Sequence, residues 1–253
     1  MNGLKEGLAT VKVLVYRDLV RFFRQPTRIV GALVQPLLFW VVMGQGFAAY
    51  FHAPGAEGGY VQYFYPGVLV MVAVFASIFS SSGLIEDKQQ GFLQAVMVGP
   101  APRWALVVGK SLGASSVALL QVVVFLLLVV VAGWDVKNIA WTGVVTVTLL
   151  MVLGLSFFSF ALAWVLNNNQ AYHAVQMTVL MPLWMLSGAM FPVQAQSVWL
   201  TWVMRLNPLT YSVEGLREAL SGSYEHAVLH MGVLCLLMCA GVWGAMKAGY
   251  ASE

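Results

Sequence analysis

The feature that most limits what this chain can fold into is the distance between its charges. No Asp, Glu, Lys or Arg falls between Arg28 and Glu57, Glu57 and Glu86, Lys110 and Asp135, Lys137 and Arg205, or Glu225 and Lys247. About 20 predominantly apolar residues are enough to cross the hydrocarbon core of a bilayer, and each of these stretches is that long. The stretch from 138 to 204 is long enough for two crossings, and Asn167, Asn168, Asn169 and Gln170 divide it. Six spans are predicted, near 29–50, 65–85, 111–133, 140–165, 171–192 and 227–247. Helices are expected because a helix satisfies its own backbone hydrogen bonds in lipid, whereas a membrane barrel would show alternating segments of about 10 residues. The expected fold class is therefore an all-α integral membrane protein. Composition agrees, since 9% of the residues are charged against about a quarter in soluble domains. The length suits one domain.

Lysine and arginine set the expected orientation. With six spans both termini share a side, and that side collects ten of the 13 basic residues, leaving Lys137, Arg205 and Arg217 opposite. The termini are expected to be cytoplasmic. Residues 1–28 carry eight charges and no apolar core of the kind a cleaved signal has. Within them Leu4, Leu8, Val11, Val15, Leu19 and Phe22 recur at spacings of three and four, while Arg17, Arg21, Arg24 and Arg28 line nearly the opposite face. That pattern predicts an amphipathic helix lying in the membrane interface, with Pro26 turning the chain into the first span. The expected organisation is an interface helix over 1–28 and a transmembrane domain over 29–253. The loop near 192–226 mixes Trp199, Leu200 and Trp202 with charges, and Asn207-Pro208 breaks it. Short half-helices dipping into the outer face are expected there, one of them from Thr210 to Leu220.

Few residues suggest chemistry. Gly109-Lys110-Ser111 resembles the end of a phosphate-binding loop, but Trp104 stands where that motif needs glycine, so Lys110 is read as a snorkelling interfacial cation. Ser156 and His173 suggest a hydrolase only weakly, because Phe157 and Phe158 crowd the serine. His226 and His230 lie four apart, yet two histidines do not close a metal site. Cys235 and Cys239 share a helix face in an apolar run, which does not suggest a disulfide framework. No ionisable residue falls in the middle of a predicted span, which argues against a proton relay. No catalytic residue, bound cofactor or metal is expected in this chain.

Two stretches carry a family resemblance. The first reads Glu86-Asp87-Lys88-Gln89-Gln90-Gly91-Phe92-Leu93, then Pro100-Ala101-Pro102-Arg103, then Gly109-Lys110. It resembles the cytoplasmic loop between the second and third spans of type-2 ABC transporter membrane domains. The second runs from Ser187-Gly188 and Phe191-Pro192 to Asn207-Pro208-Leu209-Thr210-Tyr211 and Arg217, and resembles that family's outer loop. Phe92 and Val198 depart from the family, which often has threonine and proline at those places.

The resemblance implies a permease subunit of the bacterial plasma (inner) membrane, paired with a second permease copy and with two copies of a separate ATP-binding cassette subunit that carries ATP and Mg. In the pair, the first and fifth spans should face their copies. It implies an exporter of amphipathic or hydrophobic cargo: a drug, lipid or glycolipid. It places the ATPase-coupling residues at Glu86, Gly91, Phe92, Leu93, Val96, Met97, Pro100 and Arg103, and an outer-loop motif at Ser187, Gly188, Pro192, Asn207, Pro208 and Arg217. The apolar spacing of Phe92, Leu93, Val96 and Met97 reads as a short helix whose face seats in the ATPase. Membrane lipid is an expected partner and nucleic acid is not. A non-transporting membrane scaffold and an intramembrane enzyme are the alternatives.

Overall fold

A computed structural model describes residues 2–48, 59–99, 101–192 and 197–250, with the backbone alone for Asn2, Thr27, Arg28 and Ala95. Every regular element in these residues is helical. Helix α1 (Asn2–Phe23) leads through a turn to α2 (Pro26–Ala48), whose first residue is the proline expected to redirect the chain. Then come α3 (Gly59–Gln89), the short α4 (Phe92–Val98), α5 (Arg103–Leu126) and α6 (Trp141–Leu166). The next segment is a broken helix: α7 (Asn169–Val175), a π-helical turn (Gln176–Leu180), α8 (Met181–Trp184) and a second π-helical turn (Met185–Ala189). Helices α9 (Val198–Leu206), α10 (Pro208–Leu220) and α11 (Ala227–Tyr250) complete the chain.

Five of these helices are long and apolar enough to cross a membrane: α2 from Ile29, α3, α5, α6 and α11. The sixth predicted span, 171–192, coincides with the broken helix. The boundaries near 140–165 and 227–247 match α6 and α11 closely. Two others need correction. Helix α3 runs 59–89 rather than 65–85, because Tyr60, Tyr63 and Tyr65 are buried and continue the apolar surface past the polar letters between them. Helix α5 starts at Arg103, eight residues before the expected 111, and from Leu127 the chain continues in hydrogen-bonded turns to Gly133. Lys110, which bounds an uncharged run in the sequence, lies inside α5, since a charge can be buried where it is paired.

Helix α3 is the central element, buried over most of its length and packed by α2, α5 and α6. Helix α11 lies along α6, where Gly241 and Gly154 let the backbones close up; a Cβ on Gly241 would meet the Gly154 carbonyl oxygen at 2.8 Å. Helix α1 lies along α5. Its docked face carries Gly7, Leu14, Asp18 and Phe22, so the seam follows the border between the two predicted stripes. Leu4 and Leu8 of the apolar stripe stay exposed. The polar cluster at 167–170 ends one helix and starts the next: Asn167 adopts φ 47°, and the Asn168 side chain accepts from the Gln170 and Ala171 amides.

Candidate functional site: two tied ends of the helical bundle

The chain concentrates its polar interactions at the two ends of the bundle, and the ends differ in kind. At the basic end, Asp87 sits near the last turn of α3 with no exposed surface. Arg17 of α1 donates to both of its oxygens at 2.8 Å, the bidentate geometry that suits a guanidinium. Lys110 of α5 donates to Asp87 at 2.5 Å and to Asp18 of α1 at 2.9 Å. Arg21 reaches Glu86, and Asp87 at 3.3 Å. Three cations thus meet three carboxylates where α1, α3 and α5 converge.

Burial alone would penalise the charges on Asp87 and Lys110 heavily, so their pairing is what makes the arrangement tenable; Arg17, Arg21 and Glu86 stay partly exposed. Arg17 is held above its ordinary pKa by its hydrogen bonds to Asp87. Burial pushes the Asp18 carboxyl up, against the opposing pull of Lys110. Gly113 makes the close approach possible: a Cβ there would stand 2.5 Å from an Asp18 oxygen. The cluster extends to α4, because the Arg17 guanidinium lies 3.9 Å from the centroid of the Phe92 ring. Gly91, at φ 77°, turns the chain sharply from α3 into α4.

At the opposite end the ties are aimed at backbone carbonyls. Gly188, at φ 74°, breaks the helix that began at Asn169. Its carbonyl accepts from the Tyr63 hydroxyl at 3.0 Å and from Arg217 at 3.1 Å. Arg217 also lies 4.1 Å from the Tyr63 ring centroid. Trp184 donates to the Gly67 carbonyl at 2.8 Å, and the Tyr60 hydroxyl to that of Met190 at 3.3 Å. Asn207 caps α10 by accepting from the Leu209 amide, while its own amide reaches the Leu183 carbonyl at 2.5 Å. Pro208 occupies the first position of α10, where its missing N–H costs nothing. Tyr211 of α10 then satisfies the Arg205 carbonyl, and Thr210 adds a second donor to the Met204 carbonyl, which already accepts from the Asn207 amide.

Residues 9–221, spanning all of these features, match the family described as ABC-2 type transporter. The chain belongs to that family. It is 33% identical over 214 residues to a putative transport permease ycf38 of Cyanophora paradoxa, covering 83% of this chain and 74% of the relative. It is 23% identical over 211 residues to the daunorubicin resistance ABC transporter permease protein DrrB1 of Streptomyces coeruleorubidus, covering 83% and 74%. With the nodulation protein J of Neorhizobium galegae the identity is 26% over 219 residues, covering 83% and 81%. This is a multi-pass membrane permease of the ABC transporter type.

On this ABC-2 permease the residues singled out from sequence fall as follows. Glu86, Gly91 and Phe92 gather at the basic end with Arg17 and Arg21. These two arginines turn inward to carboxylates instead of lining a surface stripe. Arg24 is exposed, and the Arg28 side chain lies outside the described residues. Arg103 opens α5 and, among the described residues, reaches the Tyr250 carbonyl at 3.5 Å.

The expected outward face of α4 is corrected. Leu93 is fully buried, and Phe92 and Val96 pack on the protein's own core, because the turn at Gly91 rolls that face inward. Met97 and Val98 are the exposed apolar residues of α4. Pro100 lies outside the described residues. At the opposite end Gly188, Asn207, Pro208 and Arg217 are brought together, Ser187 donates to the Trp184 carbonyl, and Pro192 follows half-buried.

Sequence reasoning missed Asp18, Asp87 and Lys110 as a group. The signal available was their placement, with Asp18 inside an arginine-rich stripe and Lys110 inside an apolar helix. Lys110 does not snorkel outward. Ser156 donates to Ser77 at 3.3 Å and the His173 ring pairs with Gln176 at 3.1 Å, so each has its own partner. His226 and His230 both approach Glu218, at 2.8 and 3.5 Å, and among the described residues no group is arranged to hold a metal.

Proposed function

We propose that this permease is one half of an ATP-driven exporter of amphipathic or hydrophobic molecules, working with a separate ATPase subunit that seats against α4. The observation that carries the reading is the link from Phe92 through Arg17 to Asp87 and Lys110. It joins the short helix to an interface helix by a cation–π contact, and that helix to two spanning helices by charge-assisted bonds. A push on α4 is thereby delivered to α3 and α5 as a rigid displacement, since packed and bonded elements shift together more readily than they deform.

In this reading the broken helix from Asn169 to Ala189 is the fifth of six spans, both termini are cytoplasmic, and the membrane is a bacterial plasma membrane. Helices α9 and α10 lie at the outer face. Two copies of the permease enclose the path, and two ATPase subunits carrying ATP and Mg lie beneath. The relatives named for daunorubicin resistance and nodulation support an organic cargo. So does the scarcity of charge along the spans, since a small hydrophilic ion would meet no compensation for its lost hydration.

The exposed apolar residues of α4 supply the test. Met97→Asp and Val98→Asp place a charge on the outward surface of α4 and leave the buried Leu93 intact. Both variants are expected to insert normally and to lose co-purification with the ATPase subunit, together with cargo-stimulated ATP hydrolysis. Wild-type binding and wild-type hydrolysis in both would refute the coupling role.

A further inference from the structure

The first turn of α11 carries a buried histidine that faces two carboxylates. His230 is 3% exposed. Glu214 Oε2 of α10 stands 3.7 Å from its Nε2, and Glu218 Oε2 of the same helix stands 3.5 Å from its Nδ1. Both separations exceed hydrogen-bond range, and Nδ1 is buried without a hydrogen-bond partner. Glu218 is already engaged on its other side. Its Oε1 pairs with the exposed His226 ring at 2.8 Å, and its Oε2 accepts from the His226 amide at 3.2 Å. The rings of Tyr211 and His226 each lie 6.1 Å from that of His230. In the turn before α11, Glu225 adds its charge beside His226. Tyr224 of that turn lines, with Glu218 and His230, a cavity that has room for about one water. Helix α6 packs here through Gly143 and Val147 and has no titratable side chain.

A neutral imidazole has one N–H and can serve only one of the two carboxylates, whereas a protonated ring has two and can serve both. Histidine makes this change between about pH 5 and 8, where carboxylates ordinarily stay ionised. We infer that His230, Glu214 and Glu218 form a proton-operated latch between α10 and α11. On protonation both ring nitrogens donate, the two gaps close, and α10 is clamped to the last spanning helix. The exposed His226 and the water-sized cavity give a proton access to the buried ring. The sign follows from the charge: the clamp strengthens as pH falls and is released as pH rises. Helix α10 and its cap also hold the broken helix, through Arg217 to the Gly188 carbonyl and Asn207 to that of Leu183. Clamping α10 therefore restrains the broken helix as well. The inference takes from the exporter reading only that this end faces the outside, which makes external acidity the signal; the latch itself is measurable without cargo or ATPase.

The experiment uses the full chain in lipid nanodiscs and follows amide hydrogen exchange by mass spectrometry between about pH 8 and about pH 5. Each rate is divided by that of an unstructured chain at the same pH. Protection of α10 is expected to rise about tenfold as pH falls, the scale of one hydrogen bond to a charged group, while that of α3 stays level. His230→Gln keeps hydrogen-bonding groups without titrating and is expected to abolish the rise. Glu214→Gln should reduce it, and His226→Gln should retain it. A flat wild-type series would overturn the inference, and that series needs no variant to fold. Retention of the rise in His230→Gln would overturn it too, as would its loss in His226→Gln, which would assign the response to the exposed ring. Disappearance of the wild-type rise on adding EDTA would instead assign it to a bound cation, and the latch would again be refuted.

Discussion

The two ends of this bundle solve one problem in opposite ways. Each must tie helices together where backbone and side-chain polar groups need partners. The basic end does it with whole charges, and Asp87 alone receives hydrogen bonds from Arg17, Arg21 and Lys110. The opposite end does it with carbonyls exposed by a broken helix and donors that are mostly neutral. Gly188 serves two donors, and Tyr60, Trp184 and Asn207 each take another carbonyl. The contrast teaches where each end is vulnerable. A charge cluster fails as a unit, because removing one member strands the others. A set of separate carbonyl bonds fails one bond at a time, at about 1 kcal/mol each.

The largest effect should come from Asp87→Ala. Lys110 would be left buried with Asp18 alone, and Arg17 without its main partner, a loss of about 3–5 kcal/mol for a broken buried pair. The measurement is the thermal midpoint of the detergent-solubilised permease, with limited proteolysis near Arg24 reporting release of α1. Adding Lys110→Met should recover part of the loss. If the single and double variants are equally stable, the cluster is not a unit.

Gly188→Ala probes the opposite end. Its φ of 74° suits glycine, and any other L-residue in a left-handed conformation costs about 1–2 kcal/mol. A moderate fall in the thermal midpoint is expected, with α1 still protected from protease. Release of α1 in this variant would mean that the two ends are not separate.

The smallest effect belongs to His226, in the turn before α11. Its hydrogen bond with Glu218 holds its pKa above the ordinary histidine value, with the Glu218 charge adding to the shift. Because the folded pKa is raised, the stabilisation is fully present below the unfolded pKa and disappears as pH rises through the folded one. The imidazole is exposed, so solvent screening keeps the effect slight. NMR titration of the ring should give a midpoint above that of a free histidine, and Glu218→Gln should return it to ordinary. An unchanged midpoint in that variant would show that the contact carries no charge coupling.

Much of this was legible in the order of residues. Long uncharged runs announce spanning helices because lipid admits few alternatives, and Asn167 to Gln170 marked a real interruption. Gly91 was legible as a place where the chain turns in a way other residues resist, whereas Gly188 was singled out only through the family resemblance, and its left-handed backbone was not legible. Asn207-Pro208 was legible as a break before a helix over Thr210 to Leu220; that helix starts two residues earlier, at Pro208, because Asn207 caps it. The charge cluster was not legible, for a physical reason. Arg17 and Asp87 are 70 positions apart, and nothing local distinguishes an arginine that faces lipid headgroups from one that faces a buried carboxylate. The same blindness affects α4, where the apolar spacing gave a face without showing that Leu93 is buried while Met97 stays exposed.

The cluster also bears on how the protein is made. Synthesis runs from the amino terminus, so α1 emerges with Arg17 and Asp18 long before α3 supplies Asp87, and α3 is complete before α5 delivers Lys110. A charge placed at the centre of a helix entering the membrane is resisted by about 2.5–3.5 kcal/mol. Lys110 lies eight residues into α5 and Asp87 two from the end of α3, close enough to the boundary for each to wait in the headgroup layer. Only when α5 has entered can α1 settle on it and Lys110 close the cluster. The Arg17 and Arg21 pairs need α1 and α3 alone, so the cluster is assembled in two steps, and a chain cut before α5 would leave Asp87 and Asp18 without Lys110.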